Sequence, residues 1–354
     1  MRQMNLFEYS VNYYNRGEQQ GLAPQLFLKG GKEMNRYVRV IPFQVVETTE
    51  SVNEVPSGVE LIQAPKIWGE TKGKGITVAV LDTGCDIDHP DLKDRIIGGR
   101  NFTSDDGGDP GIFKDYNGHG THVAGTIAAG ENKFGVIGMA PEANLLIIKV
   151  LGRNGSGKYD WIIDGIHYAV EQKVDIISMS LGGPNDVPEL HEAIRNAVRN
   201  NILVVCAAGN EGDGKDDTNE FAYPGCYNEV VSVGSINLER RSSDFSNSNN
   251  EIDLVAPGEN IMSTYLDGKY AALSGTSMAA PHVSGALALI KVLAVRSFDR
   301  KLSESELFAQ LIKRTVPLGH SPRLEGNGLV YLTVPDHLSR IFDHEFQATL
   351  LKAL

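Results

Sequence analysis

The chain has 354 residues, 41% of them hydrophobic, which is ample for a large core, and its 45 acidic against 33 basic residues leave a formal charge of −12. That balance argues against nucleic acid and anionic membrane as partners, and no apolar run approaches the ~20 residues that span a bilayer. The three cysteines, Cys85, Cys206 and Cys226, are too few and odd in number for a disulfide framework and fit reduced core thiols in a reducing compartment.

Residues 1–33 have mixed polarity and no clear period, and they lack the apolar stretch and small-residue cleavage site of a secretory signal. Lys29-Gly30-Gly31 can be encoded by a purine-rich ribosome-binding sequence just upstream of the Met34 codon. Residues 1–33 are therefore expected to be a non-native or disordered extension, with Met34 the true start. Tyr37 to Val46 reads as extended, and Glu47 to Glu54 as a polar linker.

A near-continuous apolar run, Ile76 to Leu81, has strand length and ends in Asp82-Thr83-Gly84. In open α/β sheets, functional groups gather just past the carboxyl ends of strands. Asn117 to Gly125 places His119 between glycines at the head of a small-residue helix, and a glycine-interrupted loop covers Gly130 to Pro141. Strand Ala143–Val150, a loop at Gly152–Gly157, helix Tyr159–Val170 and strand Val174–Gly183 follow. Pro188–Asn200 is a helix, and Ile202–Asn210 is a buried strand ending in a polar amide. Glu211–Glu220 is an acidic loop that fails the EF-hand spacing. Further strands fall at Val230–Gly234 and Ile252–Gly258. Gly275-Thr276-Ser277 then opens an apolar helix from about Met278 to Ala294. On its own, a serine at a helix start is an N-cap. Pro281 is read as lying in the first turn, where no backbone acceptor is lost. Ser303 to Glu306 has capping-box spacing, Leu329–Leu332 is a strand, and residues 336–354 form an amphipathic tail suited to docking on the body or on a second copy. Alternating strands and helices predict one large α/β domain with terminal additions.

Three segments, Val80 to Gly84, Asn117 to Gly125 and Gly275 to His282, occur in an order that resembles the subtilisin-like serine proteases across roughly Val55 to Leu318 or beyond. The resemblance implies a three-layer fold with a mainly parallel central sheet flanked by helices. It implies an endopeptidase in which Ser277 is the nucleophile, His119 the general base and Asp82 the residue that orients the imidazole. His122 is read as structural. Asn210 becomes the side-chain donor of an oxyanion hole, shared with the Ser277 N–H. Ser180, Leu181 and Gly182 would pair with an extended substrate and, with Ala207, Ala208 and Gly209, wall a roomy pocket for large hydrophobic or aromatic side chains. A rival from another class, a catalytically silent binding protein, predicts a broken triad, yet all of these residues are present.

Val40-Ile41-Pro42-Phe43 is similar to the Leu-Ile-Pro-Tyr/Phe signature in the short pro-segment of intracellular subtilisins, with a conservative departure at the first position. An extended segment can add as a strand to the cleft, and proline can displace it from productive register. The expected layout is therefore an extension at 1–33, an inhibitory pro-segment at 34–54, a catalytic domain at 55–335 and a tail at 336–354. Cleavage between Glu47 and Glu54 would activate a cytoplasmic zymogen. A secreted protease would need a signal and a long pro-domain. The resemblance also implies a strong Ca2+ site of Asp91 and Asn132 side-chain oxygens with the carbonyls of Gly130, Phe134 and Val136. A weak cation site would use the carbonyls of Gly225 and Tyr227 with Asp253. The expected partners are protein and peptide substrates, the chain's own pro-segment and a homodimer mate.

Overall fold

The computed structural model describes residues 37–336. The expectations for residues 1–33, for Met34 as the start and for the tail beyond Asp336 with its homodimer lie outside the described residues.

The described chain opens with strands β1 (Tyr37–Val40), β2 (Gln44–Thr49) and β3 (Asn53–Glu54) and helices α1 (Ser57–Leu61) and α2 (Ala64–Ile67). Then come β4 (Thr77–Asp82), β5 (Ile96–Asn101), α3 (His119–Ala128), β6 (Gly135–Val136), β7 (Asn144–Lys149), β8 (Ser156–Lys158) and α4 (Tyr159–Glu171). The middle of the chain adds β9 (Ile176–Met179), β10 (Leu181–Gly182), α5 (Pro188–Arg199), β11 (Leu203–Ala207), β12 (Val231–Ile236) and β13 (Leu254–Pro257). It closes with β14 (Ile261–Thr264), β15 (Tyr270–Ser274), α6 (Thr276–Phe298), α7 (Glu304–Ile312), β16 (Thr315–Val316), α8 (Pro322–Glu325) and β17 (Leu329–Val330).

Nine strands pair in the order β16-β17-β13-β12-β11-β9-β4-β7-β5, parallel throughout except β16 against β17. Side chains alternate across this sheet. Val78, Val80, Leu145 and Ile147 join Val123 and Ile127 of α3 and Leu287 and Ile290 of α6 in one core. Ala79, Leu81, Leu146 and Ile148 join Ile162 and Ile166 of α4 and Leu190 and Ile194 of α5 in the other. Both faces are covered, which is why these strands read as unbroken apolar runs. The layers are helix, sheet, helix, as expected.

Four local expectations need correction. The polar stretch Glu47–Glu54 is not a free linker: Glu47–Thr49 belongs to β2, and Asn53–Glu54 pairs with Gly135–Val136. Main-chain pairing at a surface edge makes no demand for apolar side chains. Ile67-Trp68, which the family resemblance implies begins a short helix, ends one instead. Pro281 lies beyond the first turn of α6, so its missing N–H does leave a carbonyl free, that of Ser277 four residues back. The Ser180 hydroxyl takes that carbonyl at 2.9 Å. Finally, α6, with 23 residues, is long and apolar enough to cross a bilayer by length and composition. Its buried length in the core explains that composition.

His122 and His282 are fully buried. His122 Nε2 donates to the carbonyls of Ile261 (2.8 Å) and Ala271 (3.1 Å), and His282 Nδ1 donates to the Met278 carbonyl (2.8 Å). Their other ring nitrogens have no partner among the described residues. Burial lowers their pKa values from 6.5 to about 3 for His122 and about 4 for His282. The folded state thus favours the neutral rings, while the unfolded chain takes up protons first as pH falls. The stability they contribute is intact above about pH 6.5 and is lost on acidification, roughly 2 kcal/mol per histidine by about pH 5. Urea unfolding across that range should show this fall, with a smaller fall for His282→Gln; identical pH slopes for parent and variant would contradict it.

Candidate active site

The parallel sheet delivers Asp82 at the carboxyl end of β4, paired in register with Lys149 of β7. His119 is the first residue of α3, and Gly118 before it holds φ at +98°, a conformation that suits glycine. Asp82 and His119 are both buried, and Asp82 Oδ1 lies 2.8 Å from His119 Nδ1. The same oxygen accepts the Thr83 N–H at 2.7 Å. A carboxylate partner places the proton on Nδ1 and leaves Nε2 able to accept one. His119 Nε2 has no partner among the described residues. Ser277, in the first turn of α6, is fully buried, and its hydroxyl donates to the Ser180 carbonyl at 3.2 Å rather than to His119. The Phe43 ring lies 4.9 Å from the His119 ring.

Asn210 follows Gly209, where φ is +117° and a Cβ would fall 2.1 Å from Asn247 Nδ2. The amide N–H and hydroxyl of Thr276 both donate to Asn210 Oδ1, at 2.9 and 2.7 Å. These two bonds fix the amide orientation and aim Nδ2 outward. Nδ2 donates to the Pro42 carbonyl at 2.5 Å.

The segment bearing Pro42 runs the length of the cleft. β1 pairs antiparallel with β10, Val40 opposite Leu181 and Arg39 opposite Gly182, and on its other side with β8. β2 pairs antiparallel with β15, Gln44 opposite Ser274. Ile41 is buried against Gly182, where a Cβ would come within 3.4 Å of Ile41 Cγ1. The side chain set against Gly182 is therefore that of Ile41, while the carbonyl held by Asn210 belongs to Pro42, one residue on. Ala207 ends β11, with Ala208 and Gly209 following it towards Asn210.

Several participants escaped the sequence reading. The loop assigned to Gly152–Gly157 supplies β8, and the Gly155 carbonyl accepts the Val40 N–H at 2.8 Å. Its closely spaced glycines were the available signal, since glycine marks close backbone approach. β15 was also missed. Lys149 is fully buried, and its ammonium donates to the carbonyls of Thr83 (2.6 Å) and Leu151 (3.2 Å) and pairs with Asp105 at 3.2 Å. Partial burial opposes the charge on Asp105, yet hydrogen bonds from Lys149 and Arg153 hold its carboxyl below the usual range. Burial, with Asp115 and Asp86 nearby, pushes the Cys85 thiol well up, burial does the same to Cys206, and it takes Cys226 up to about 11.

Of the residues expected to hold calcium, Asp91 is hydrogen-bonded to Asn132, Val136 and Gly130. Asp91 is buried, and its carboxylate accepts Asn132 Nδ2 (2.7 Å) and the Val136 N–H (3.0 Å). The Asp91 carbonyl accepts the Gly130 N–H, and Asn132 Oδ1 accepts the Phe134 N–H at 3.3 Å. At Gly135 a Cβ would fall 2.0 Å from the Asp91 carboxylate. Asp91 has no ion pair among the described residues. A buried carboxylate met by neutral amide donors, without a counter-ion, fits a hard cation. The second set is less joined. Asp253 accepts the Ser232 N–H at 2.8 Å, burial pushes its carboxyl up to about 7, and the Tyr227 carbonyl accepts the Val230 N–H at 3.2 Å. Among the described residues, no hydrogen bond links Asp253 to Gly225 or Tyr227.

Comparison with known proteins follows the same line. The model of the subtilase family matches residues 73–328. The chain is 71% identical over 318 residues to an intracellular serine protease of Paenibacillus polymyxa, covering 90% of this chain and 98% of that protein. It is 63% identical over 319 residues to the major intracellular serine protease of Bacillus subtilis (strain 168), covering 90% of this chain and all of that protein. Against subtilisin E of the same strain it is 44% identical over 242 residues, 68% of this chain and 62% of that one.

Proposed function

The chain belongs to the subtilase family and is a serine protease, and from that premise we propose that Asp82, His119 and Ser277 are its catalytic triad and that residues 37–49 hold it as a zymogen. The observation that carries this reading is the buried 2.8 Å contact between Asp82 and His119, with the Asn210 amide aimed at a backbone carbonyl in the same cleft.

Ser277 Oγ attacks the peptide carbonyl carbon while its proton passes to His119 Nε2. The negative oxygen that forms is held by Asn210 Nδ2 and the Ser277 N–H. His119 then gives its proton to the leaving nitrogen as the C–N bond breaks, and an acyl group remains on Ser277. Water, deprotonated by His119, hydrolyses that ester. Asp82 keeps the imidazole in the Nδ1–H form and stabilises the imidazolium. Loss of one side-chain oxyanion donor costs about 2.7–4 kcal/mol, a magnitude set by measurement within this family.

The cleft segment binds as a substrate would, by strand addition against Leu181–Gly182 on one side and Tyr270–Ser274 on the other. It is not in productive register. Pro42, not the pocket residue Ile41, offers its carbonyl to Asn210, and Ser277 is turned to Ser180. Activation requires a cut beyond β2. Glu50–Val52 is the turn between the two paired stretches, so cleavage falls there rather than evenly over Glu47–Glu54. The location is intracellular, in keeping with relatives named intracellular serine proteases and with free thiols. Glycine and alanine walls at Gly182 and Ala207–Gly209 suit large apolar side chains before the cut. A homodimer through the tail remains part of this reading.

Ca2+ is held by Asp91 and Asn132 with the carbonyls of Gly130, Phe134 and Val136; bound there, it supplies the missing positive charge and rigidifies the loop. Asp253, Gly225 and Tyr227 form the weaker site.

Ser277→Ala should abolish casein hydrolysis, and Asn210→Ala should lower kcat about 100- to 1,000-fold with little change in KM. Casein digestion by Ser277→Ala at the parent rate would overturn the triad. Chelation should lower the thermal midpoint, Ca2+ should restore it, and Asp91→Asn should remove that response; a Ca2+ response retained in Asp91→Asn would exclude the site.

A further inference from the structure

We infer that Asp115 is a positioning residue for the reaction: a buried carboxylate that locks the turn carrying Asp82 to the helix carrying His119. The inference rests on the triad reading above and deepens it.

Asp115 is buried and has no ion pair among the described residues. Neutral donors satisfy it instead. Oδ1 accepts the Thr83 hydroxyl (2.9 Å) and the N–H groups of Asn117 (2.8 Å) and Gly118 (3.0 Å). Oδ2 accepts the N–H (3.0 Å) and hydroxyl (2.7 Å) of Thr121. Buried carboxylate oxygens need hydrogen-bond donors, and these two oxygens take five between them.

Part of this pattern is ordinary helix chemistry. The first N–H groups of a helix lack acceptors, and an anion suits the positive end of the dipole. That accounts for the bonds from Asn117, Gly118 and Thr121 at the start of α3. It does not account for Thr83, which belongs to the turn after β4. The Thr83 hydroxyl donates to Asp115 and accepts the N–H of Gly120, the neighbour of His119, at 2.9 Å. The Thr83 N–H in turn donates to Asp82 Oδ1. Thr83 therefore touches the Asp82 carboxylate, the helix backbone beside His119, and Asp115. The fit is close: a Cβ at Gly120 would lie 2.2 Å from the Gly84 carbonyl and 3.1 Å from Thr83 Oγ1.

The separation of Asp82 and His119 is thus set by two residues that touch no substrate. A displacement of about 1 Å among reacting groups can cost about 100-fold in rate. The effect should appear in kcat, because neither Asp115 nor Thr83 lines the cleft.

The test uses the full chain after activation, with the active fraction counted by titration with a serine-directed inhibitor and folding checked by thermal midpoint. Thr83→Val keeps the shape and removes the hydroxyl; kcat on a chromogenic peptide should fall about 100-fold with KM within about twofold. Thr83→Ser, which keeps the hydroxyl, should hold kcat within about threefold of the parent. Asp115→Asn should lose a similar factor, and the double variant should be no slower than the slower single, as expected for groups acting as one unit. A folded Thr83→Val with parental kcat, a loss confined to KM, or additive losses would overturn the inference, and Thr83→Val decides it if Asp115→Asn does not fold. Ser277→Ala separates the two claims: if it is inactive while Thr83→Val is fully active, only this inference falls, and if it is active, the triad falls.

Discussion

The buried hydrogen bond between Asp82 and His119 is the contact around which the molecule is built. In water such a pair would be weak and mobile. Out of water, a charge-assisted bond gains strength and its geometry can be held. Each partner needs a rigid support, and the fold supplies both. β4 lies between β7 and β9, so its exit at Asp82 is fixed by parallel neighbours on either side. Lys149, donating to the carbonyls of Thr83 and Leu151, ties down the next residue of the turn. α3 packs beneath the sheet by Val123 and Ile127, so its first residue, His119, has little freedom.

The same logic explains how Ser277 is placed. α6 runs through the core, and Pro281 would leave the Ser277 carbonyl without a partner. The Ser180 hydroxyl fills that role, so the chain that pairs with Val40 is also bonded to Ser277. The strand beside Val40 and the start of α6 are tied together. The segment of β1 and β2 lies along the same wall. Main-chain ladders hold it on both sides, and the side chain set against Gly182 is that of Ile41, one residue before the carbonyl that Asn210 holds. Main-chain pairing needs no buried apolar surface, so β2 can stay exposed, its two valines included.

The parts legible in the sequence are those where one residue type has one job. Strands covered on both faces, such as Val78–Leu81, must be apolar and read as runs. Asp82, His119 and Ser277 stand at element ends, flanked by glycines or small residues that allow close backbone approach. The candidate calcium residues come only from the family resemblance, since a single carboxylate and several carbonyls leave little trace in composition. What stayed hidden was backbone work. β8 and β15 contribute N–H and C=O groups, which every residue has. Thr83 and Asp115 act through a shared hydrogen bond between segments 32 residues apart, and nothing local announces it. Pro281 was placed on the helix but its compensation by Ser180, 97 residues distant from Ser277, needed the structure.

The central claim is that a buried carboxylate fixes the imidazole with its proton on Nδ1 and Nε2 bare. Nitrogen NMR on protein labelled at histidine reads this directly. The account predicts that at neutral pH the His119 ring is a single tautomer, protonated at Nδ1, and that Asp82→Asn turns it into a mixture. A parent ring protonated at Nε2, or a spectrum unchanged by Asp82→Asn, would contradict it.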